Sequence, residues 1–439
     1  LLLEYSLDNQ EGILLMCLAE ALMRIPDVAT ADALIRDKLS SADWKSHLNH
    51  SDSLFVNAST WGLLLTGRVV DLKQNEEEGV TTAITHLVNK MSEPIIRQAM
   101  NQAMRIMSHH FVLGKNIDEA QKKGKPLAEQ GFAYSYDMLG ESALTATDSR
   151  KYFDAYILAI ENIAKNRLNV KNKANMPTVS IKLSALHPRY EMANKTRVLT
   201  ELFTSVLVLI EHARKVDVGL TIDAEESDRL EISLLLFKKL YNHSSCQGWG
   251  KLGFVVQTYS KRALAVLTWL AALAKKQGDC IPLRLVKGAY WDSEVKLSQQ
   301  NGYQAYSVYT RKEGTDVSYL ACARFILSPH IKGLIYPQFA THNAHTVAAI
   351  SMMSSHNQFE FQRLYGMGEA LYKHTIEMFE PNWRIYAPVG SYKDLLPYLV
   401  RRLLENGANS SFVNRLFDAT CPIDSLTKHP VDTLMSYST

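Results

Sequence analysis

The sequence predicts an α/β protein whose catalytic part is a (β/α)8 barrel preceded by an all-helical region. Two observations carry that expectation. Up to about residue 125 the apolar residues recur only at helical spacing. From residue 131 onward, short apolar, β-branched runs alternate with amphipathic helical patterns, as parallel βαβ units do. Eight such units in roughly 280 residues match the size of a closed barrel. A doubly wound open sheet is the runner-up, but it calls for a G-x-G-x-x-G turn after the first strand. None follows residues 132–137, and Gly366-Met367-Gly368 is too isolated to replace it.

Taken in order, residues 11–24 place Leu14, Cys17, Leu18, Ala21 and Leu22 on one helical face, an arm in need of a partner surface. Further helical patterns at 31–39 and 54–65 end in the polar break Lys73-Gln74-Asn75-Glu76-Glu77-Glu78-Gly79, and two more follow at 82–91 and 93–111. The adjacent His109 and His110 point apart on a helix and read as packing or surface residues. Strands are expected at 132–137, 178–184, 219–223, 253–257, 282–287, 333–339, 359–364 and 384–388, with helices between them such as 196–214 and 262–276. This divides the chain into an arm (1–60), a helical domain (61–125), the barrel (126–420) and a tail (421–439).

The last long helix, 393–406, has two faces. Leu396, Leu399, Val400 and Leu403 form the apolar one, while Tyr398, Arg401, Arg402 and Glu405 share the other. Ser391 with Asp394 supplies a start signal and Gly407 a stop.

Composition bounds the function. In 439 residues, 46% are hydrophobic and the net charge is +3, which suits a well-buried globular chain rather than a disordered one. The balance of 48 basic against 45 acidic residues leaves no broad footprint for a phosphate backbone, and no finger, basic zipper or aromatic RNA-binding signature is present. Nucleic-acid binding is therefore not expected. Five scattered cysteines, never spaced Cys-x-x-Cys, argue against both a disulfide framework and a zinc site and fit a reducing cytoplasm. No apolar run reaches the roughly 20 residues that span a bilayer, and the first residues lack a signal pattern. The start at Leu1 suggests a fragment.

Chemistry concentrates at the expected strand ends. Asp137 and Glu141 follow the first strand, Lys182 ends the second, and Asp223, Glu225 and Glu226 the third. Gln257 ends the fourth; the fifth, Pro282-Leu283-Arg284-Leu285-Val286-Lys287-Gly288-Ala289-Tyr290-Trp291, runs from buried strand into two cations, a glycine and two aromatics. Gln338, Thr341, His342, Asn343 and His345 mark the sixth, Leu364 the seventh and Tyr386 the eighth. Buried cations without partners would cost several kcal/mol each, so this mouth should receive an anionic or polar ligand.

Single motifs leave alternatives open. Asp223 with Glu225 or Glu226 could be a glycosidase pair, and His342 with His345 could hold a metal, although a neutral histidine donating to an acceptor suits that loop better. Lys182 or Lys287 could form a Schiff base as a lyase or aldolase requires. Arg401 and Arg402 beside Tyr398 could clamp a carboxylate bidentately. A non-catalytic module acting through its arm is a third class of function.

Six strings specify a family: FAYSYDMLGE (132–141), SIKLSALHPRY (180–190), IDAEESDRLEIS (222–233), RLVKGAYWDSE (284–294), YPQFATHNAHT (336–346) and YLVRRLLENGANSSFVN (398–414). They closely resemble the proline dehydrogenase domain of bacterial proline utilization A, over nearly the whole chain. The amino-terminal helices resemble that family's arm and helical domain; its DNA-binding module and its aldehyde dehydrogenase domain have no expected counterpart.

The resemblance implies a distorted (β/α)8 TIM barrel that binds FAD and oxidises L-proline to Δ1-pyrroline-5-carboxylate, with electrons passed to a quinone and peripheral contact with the inner membrane during turnover. It assigns the substrate carboxylate to Lys182, Arg401 and Arg402, and the ring pocket to Asp223, Ala224, Tyr290, Leu364, Tyr386 and Tyr398. Glu141 would pair with Arg402 as a gate. Flavin contacts would come from Gln257, Arg284, Val286, Lys287, Gly288, Trp291, Thr310, Arg311, Lys312, His342 and Asn343, with Arg284 offsetting negative charge on the cofactor. Tyr365 departs from the family's histidine, and the stretch 377–384 looks short.

Overall fold

The structure is a computed structural model that describes residues 111–166, 176–379, 382–391, 398, 401 and 427–437. The arm, the first helices, His109 and His110 lie outside those residues. The chain divides into two compact units, Leu1–His110 with Leu395–Asn414 and Phe111–Asp394 with Arg415–Thr439.

The second unit is a closed barrel of eight parallel strands in chain order: β1 (Ala133–Met138), β2 (Thr178–Ile181), β3 (Gly219–Ile222), β4 (Leu252–Gln257), β5 (Ile281–Val286), β6 (Ile335–Ala340), β7 (Glu360–Leu364) and β8 (Asn382–Val389). β1 closes the ring against β8, with Ser135 opposite Tyr386. All eight expected strands are present, with ends that coincide or are displaced by at most three residues.

The second strand differs most. The apolar reading runs to residue 184, but β2 stops at Ile181 and the chain turns into the helical segment Leu183–Leu186. The reason lies in the amide groups: Lys182 N–H donates to the Tyr156 hydroxyl at 3.0 Å and Ser184 N–H to Glu225 Oε1 at 3.0 Å. Both donors are taken by side chains, and the ladder ends.

Register separates the two barrel faces. Val179, Ile181, Leu220, Ile222 and Phe361 are wholly buried on the side that meets the helices. The helix Phe203–Lys215 answers them with Val206, Leu209, Ile210 and Ala213 at i, i+3, i+4 and i+7, all wholly buried. Each large side chain so buried contributes about 1.5–3 kcal/mol of transfer free energy. The other face points into the barrel and is polar: Ser135 and Asp137 on β1, Ser180 on β2, Thr221 on β3, Arg284 on β5, Gln338 on β6, Glu360 and Gln362 on β7, Arg384 and Tyr386 on β8.

The helix Ala146–Lys165 that follows β1 begins with a capping box, in which the Thr145 hydroxyl accepts from Asp148 N–H at 3.1 Å and Asp148 accepts from Thr145 N–H at 2.9 Å. Thr145→Ala leaves the Asp148 amide without its acceptor and should lower unfolding free energy by about 1 kcal/mol in a denaturant titration; an unchanged midpoint would refute that role.

Candidate active site

The C-terminal ends of the strands bring four predicted residues into one buried network. Asp223 follows β3 and Lys182 follows β2; Arg284 lies within β5 and Tyr386 within β8. Arg284 is almost fully buried and cannot shed its charge, so its donors must find acceptors. Nη1 donates to Asp223 Oδ1 at 2.7 Å, Nη2 to Ser135 Oγ and Ser180 Oγ at 2.9 and 3.0 Å, and Nε to Gln362 Oε1 at 2.7 Å. Among the described residues these contacts use four of five N–H groups and leave one for a ligand acceptor. The Arg284 guanidinium also lies 4.9 Å from the centre of the Tyr386 ring.

Asp223 is the hub. Its Oδ2 accepts from the Tyr386 hydroxyl at 2.7 Å and lies 3.7 Å from Lys182 Nζ, which donates to Asp137 Oδ1 at 2.6 Å. Burial disfavours charge on Lys182, but Asp137 and Asp223 outweigh it and raise the ammonium above the ordinary lysine value. A lysine so held is a cation, not the neutral amine that Schiff-base formation needs. Burial, with Asp137 and Asp223, likewise pushes the Tyr386 phenol well up, so it stays protonated and donates. Glu141, a further neighbour of this cluster, adds to the field on Lys182.

A second group of predicted residues lines the β4–β6 side of the mouth. Gln257 ends β4 and donates to the Glu225 carbonyl at 2.7 Å. Val286 ends β5, and Lys287 and Gly288 come next. Gly288 has φ +142°, and a Cβ there would lie 2.4 Å from the Tyr259 ring, so the turn requires glycine. Tyr290 caps the helix Trp291–Gln300, and the Trp291 indole N–H donates to the Tyr309 carbonyl at 2.8 Å. Thr310 and Arg311 precede the helix Lys312–Ile326; Arg311 sits 4.4 Å from the Tyr437 ring centre. Lys287 and Lys312 both donate to Asp316, whose burial would raise its carboxyl but whose two lysines hold it below the usual range.

His342 Nε2 accepts from Leu364 N–H at 3.0 Å, which leaves the ring proton of the neutral imidazole on Nδ1, and Asn343 caps the helix Ala344–Met353. His345 turns instead toward His429, 5.9 Å between ring centres. Among the described residues no group of three His, Cys, Asp or Glu is placed to hold a metal. Ala224 follows Asp223, while Glu225 is held by Ser184 N–H and Arg229, and Glu226 lies 3.3 Å from the same arginine. Tyr398 and Arg401 are helical and belong to the other unit; Arg402 lies outside the described residues.

Sequence reasoning missed Ser135, Ser180, Gln362 and Asp316. The first three carry a readable signal, polar residues at alternate positions in otherwise apolar strands; Asp316 carries none beyond lying four residues after Lys312.

The donor set fits a flavin dinucleotide. Lys287 and Lys312 both reach Asp316 and are ammonium donors of the kind a phosphate takes, Trp291 offers an exposed indole, and among the described residues Arg284 has one N–H beyond its four bonds.

A closed barrel with cations and carboxylates gathered at the carboxyl ends of its strands has the arrangement of a (β/α)8 enzyme. The proline dehydrogenase family model matches residues 120–415, and the chain belongs to that family. A second model, described as the DNA-binding domain of proline dehydrogenase, matches residues 1–111. That description stands against the expectation that the chain has no counterpart of a DNA-binding module, and the matched stretch is almost wholly outside the described residues. The bifunctional protein PutA of Salmonella typhimurium is 52% identical over 442 residues, covering 98% of this chain and 33% of that protein. Proline dehydrogenase 1 of Bacillus subtilis is 29% identical over 318 residues, 70% of this chain and 90% of that protein. A crystal structure of proline utilization A from Bradyrhizobium japonicum matches with a TM-score of 0.74 at 45% identity, covering 99% of this chain and 43% of that one. The chain thus spans about a third of the length of the bifunctional relative.

Asp223→Ala should lower unfolding free energy by about 3–5 kcal/mol, because it strands the Arg284 charge in the barrel. Asp223→Asn keeps one acceptor and should cost less. Equal denaturation midpoints for the two variants would count against the hub role.

Proposed function

We propose that the chain is an FAD-dependent proline dehydrogenase that oxidises L-proline to Δ1-pyrroline-5-carboxylate and passes the electrons to a membrane quinone, as the first step of proline breakdown. The observation that supports it best is the buried Arg284, Asp223, Lys182 and Tyr386 network in a barrel of this family. Bound FAD supplies the hydride acceptor. The protein's own contribution is positioning and charge. Asp223 and the protonated Tyr386 fix one wall of the ring pocket, with Ala224, Tyr290, Leu364 and Tyr398 completing it. Lys182, a fixed cation, takes the substrate carboxylate together with Arg401 and Arg402, and Glu141 gates Arg402. Arg284 acts as a preorganised cation toward the cofactor. Hydride removal from the carbon beside nitrogen needs approach to about 3–3.5 Å and no nucleophile. The Schiff-base reading loses ground accordingly, since Lys182 is held charged.

The chain is read as cytoplasmic, touching the inner membrane only peripherally during turnover. Among the described residues no helix is long and apolar enough to cross a membrane. Residues 1–111 are read as part of the enzyme rather than as a nucleic-acid binder, on the strength of the chain's near-neutral charge.

Purified protein should be yellow, and anaerobic L-proline should bleach the flavin absorbance; a colourless protein that takes up no FAD would sink the reading. Arg401→Met and Arg402→Met should each raise KM for proline about 10- to 150-fold, the loss of a charge-assisted contact of roughly 1.5–3 kcal/mol. Unchanged saturation in both removes the clamp. Fluorescence anisotropy with duplex DNA at moderate salt should show no binding, and tight salt-dependent binding would overturn that part of the reading.

A further inference from the structure

Beneath Arg284 the barrel interior carries a second layer of charge that substrate and cofactor need not touch. Glu360 on β7 is wholly buried. Its Oε1 accepts from Arg384 Nε at 2.7 Å, Gln338 Nε2 at 2.9 Å and Gln362 Nε2 at 2.6 Å, and its Oε2 from Arg384 Nη2 at 3.1 Å. Arg384 is itself anchored, because Nη1 donates to the carbonyls of Tyr134 and Met176 at 3.1 and 2.9 Å.

This anchoring fixes the polarity of one amide. Gln362 must turn its NH2 toward the Glu360 carboxylate, which leaves its carbonyl facing Arg284 Nε at 2.7 Å. The flipped amide would set donor against donor on the Arg284 side and acceptor against acceptor on the other. Gln362 and Glu360 also alternate with Phe361 on one strand, so backbone pairing with β6 and β8 holds both side chains inward. Ser135 and Ser180 can rotate their hydroxyls to follow a moved guanidinium; the clamped amide cannot.

The geometry points to Gln362, locked by Glu360 and Arg384, as the positioning residue that sets the orientation of the Arg284 guanidinium toward the cofactor. The inference rests on the flavin reading of the preceding subsection. Its consequence is electrostatic: a tilted guanidinium stabilises charge on the reduced cofactor less well, and the cofactor's potential reports that directly.

The test compares the full-length chain with Gln362→Met and Glu360→Gln by anaerobic potentiometric titration of the bound flavin, with steady-state kinetics alongside. Gln362→Met, which removes the acceptor at similar volume, should weaken stabilisation of the reduced state at least tenfold, about 30 mV for a two-electron couple. kcat should fall tenfold or more while KM for proline changes less than threefold. Glu360→Gln, which frees the amide to flip, should shift the potential in the same direction by less. A folded Gln362→Met protein with the wild-type potential overturns the inference even if its thermal stability drops, since a merely structural amide would change stability alone. If only Glu360→Gln folds, a wild-type potential there overturns it equally. Failure of both to fold marks the layer as a structural buttress and also overturns it. Absence of flavin from the wild-type protein is a different outcome, because it overturns the reading beneath the inference as well.

Discussion

The structure depends on one constraint, that a guanidinium placed inside a barrel keeps its charge and must be surrounded by acceptors. Arg284 draws its partners from β1, β2 and β7 and from the residue after β3, so three strands give up an interior position to it. Barrels of this kind are ordinarily filled by branched apolar side chains. Here two serines stand where bulkier residues would displace the arginine, and a glutamine and a carboxylate stand where Val or Ile would leave its donors unpaired. The polar filling extends downward because Gln362 needs a partner for its own amide, which Glu360 supplies, and Glu360 in turn needs Arg384. Each buried polar group brings in the next until the charges balance.

That chain of necessity explains what could be read from the sequence. The eight strands were legible because their helix-facing residues, such as Val179, Ile181 and Phe361, are apolar with the exception of Arg363 on β7, and the segments between them carry helical periodicity. The ends were less so. The run Ser180-Ile181-Lys182-Leu183-Ser184 has an alternation that suits a strand, and only the capture of two amides by Tyr156 and Glu225 bends it into a helix. Both captors lie far along the chain, at separations of 26 and 41 residues.

The site divides along the same line. Asp223, Lys182 and Arg284 stand out singly because charged residues in apolar strands are conspicuous. Their supporting partners do not, since Ser135 and Gln362 lie 149 and 78 residues from Arg284 and are ordinary residue types. The interior face carries its own signal, the polar alternation over Ser135-Tyr136-Asp137 and Glu360-Phe361-Gln362. Lys287 was noticed as a cation awaiting an anion, yet Asp316 already partly answers it, a carboxylate that becomes a neighbour only when the helix Lys312–Ile326 packs beside β5.

Charge balance also bears on how a substrate anion could be held. Lys182 and Arg284 face Asp137 and Asp223 across the barrel mouth, and burial pushes the Asp137 carboxyl up while the Lys182 ammonium beside it works the other way. Proline poised for hydride loss has a neutral amine and an ionised carboxylate and therefore brings net negative charge into a poorly solvated site. Lys182 can direct an N–H toward that carboxylate, but its ammonium is already shared with Asp137 at 2.6 Å, which weakens the attraction left over. A half-committed lysine leaves a role for cations beyond those of the barrel strands. In the proposed reading Arg401 and Arg402 supply them: they are adjacent, permanently charged and able to grip a carboxylate with paired donors.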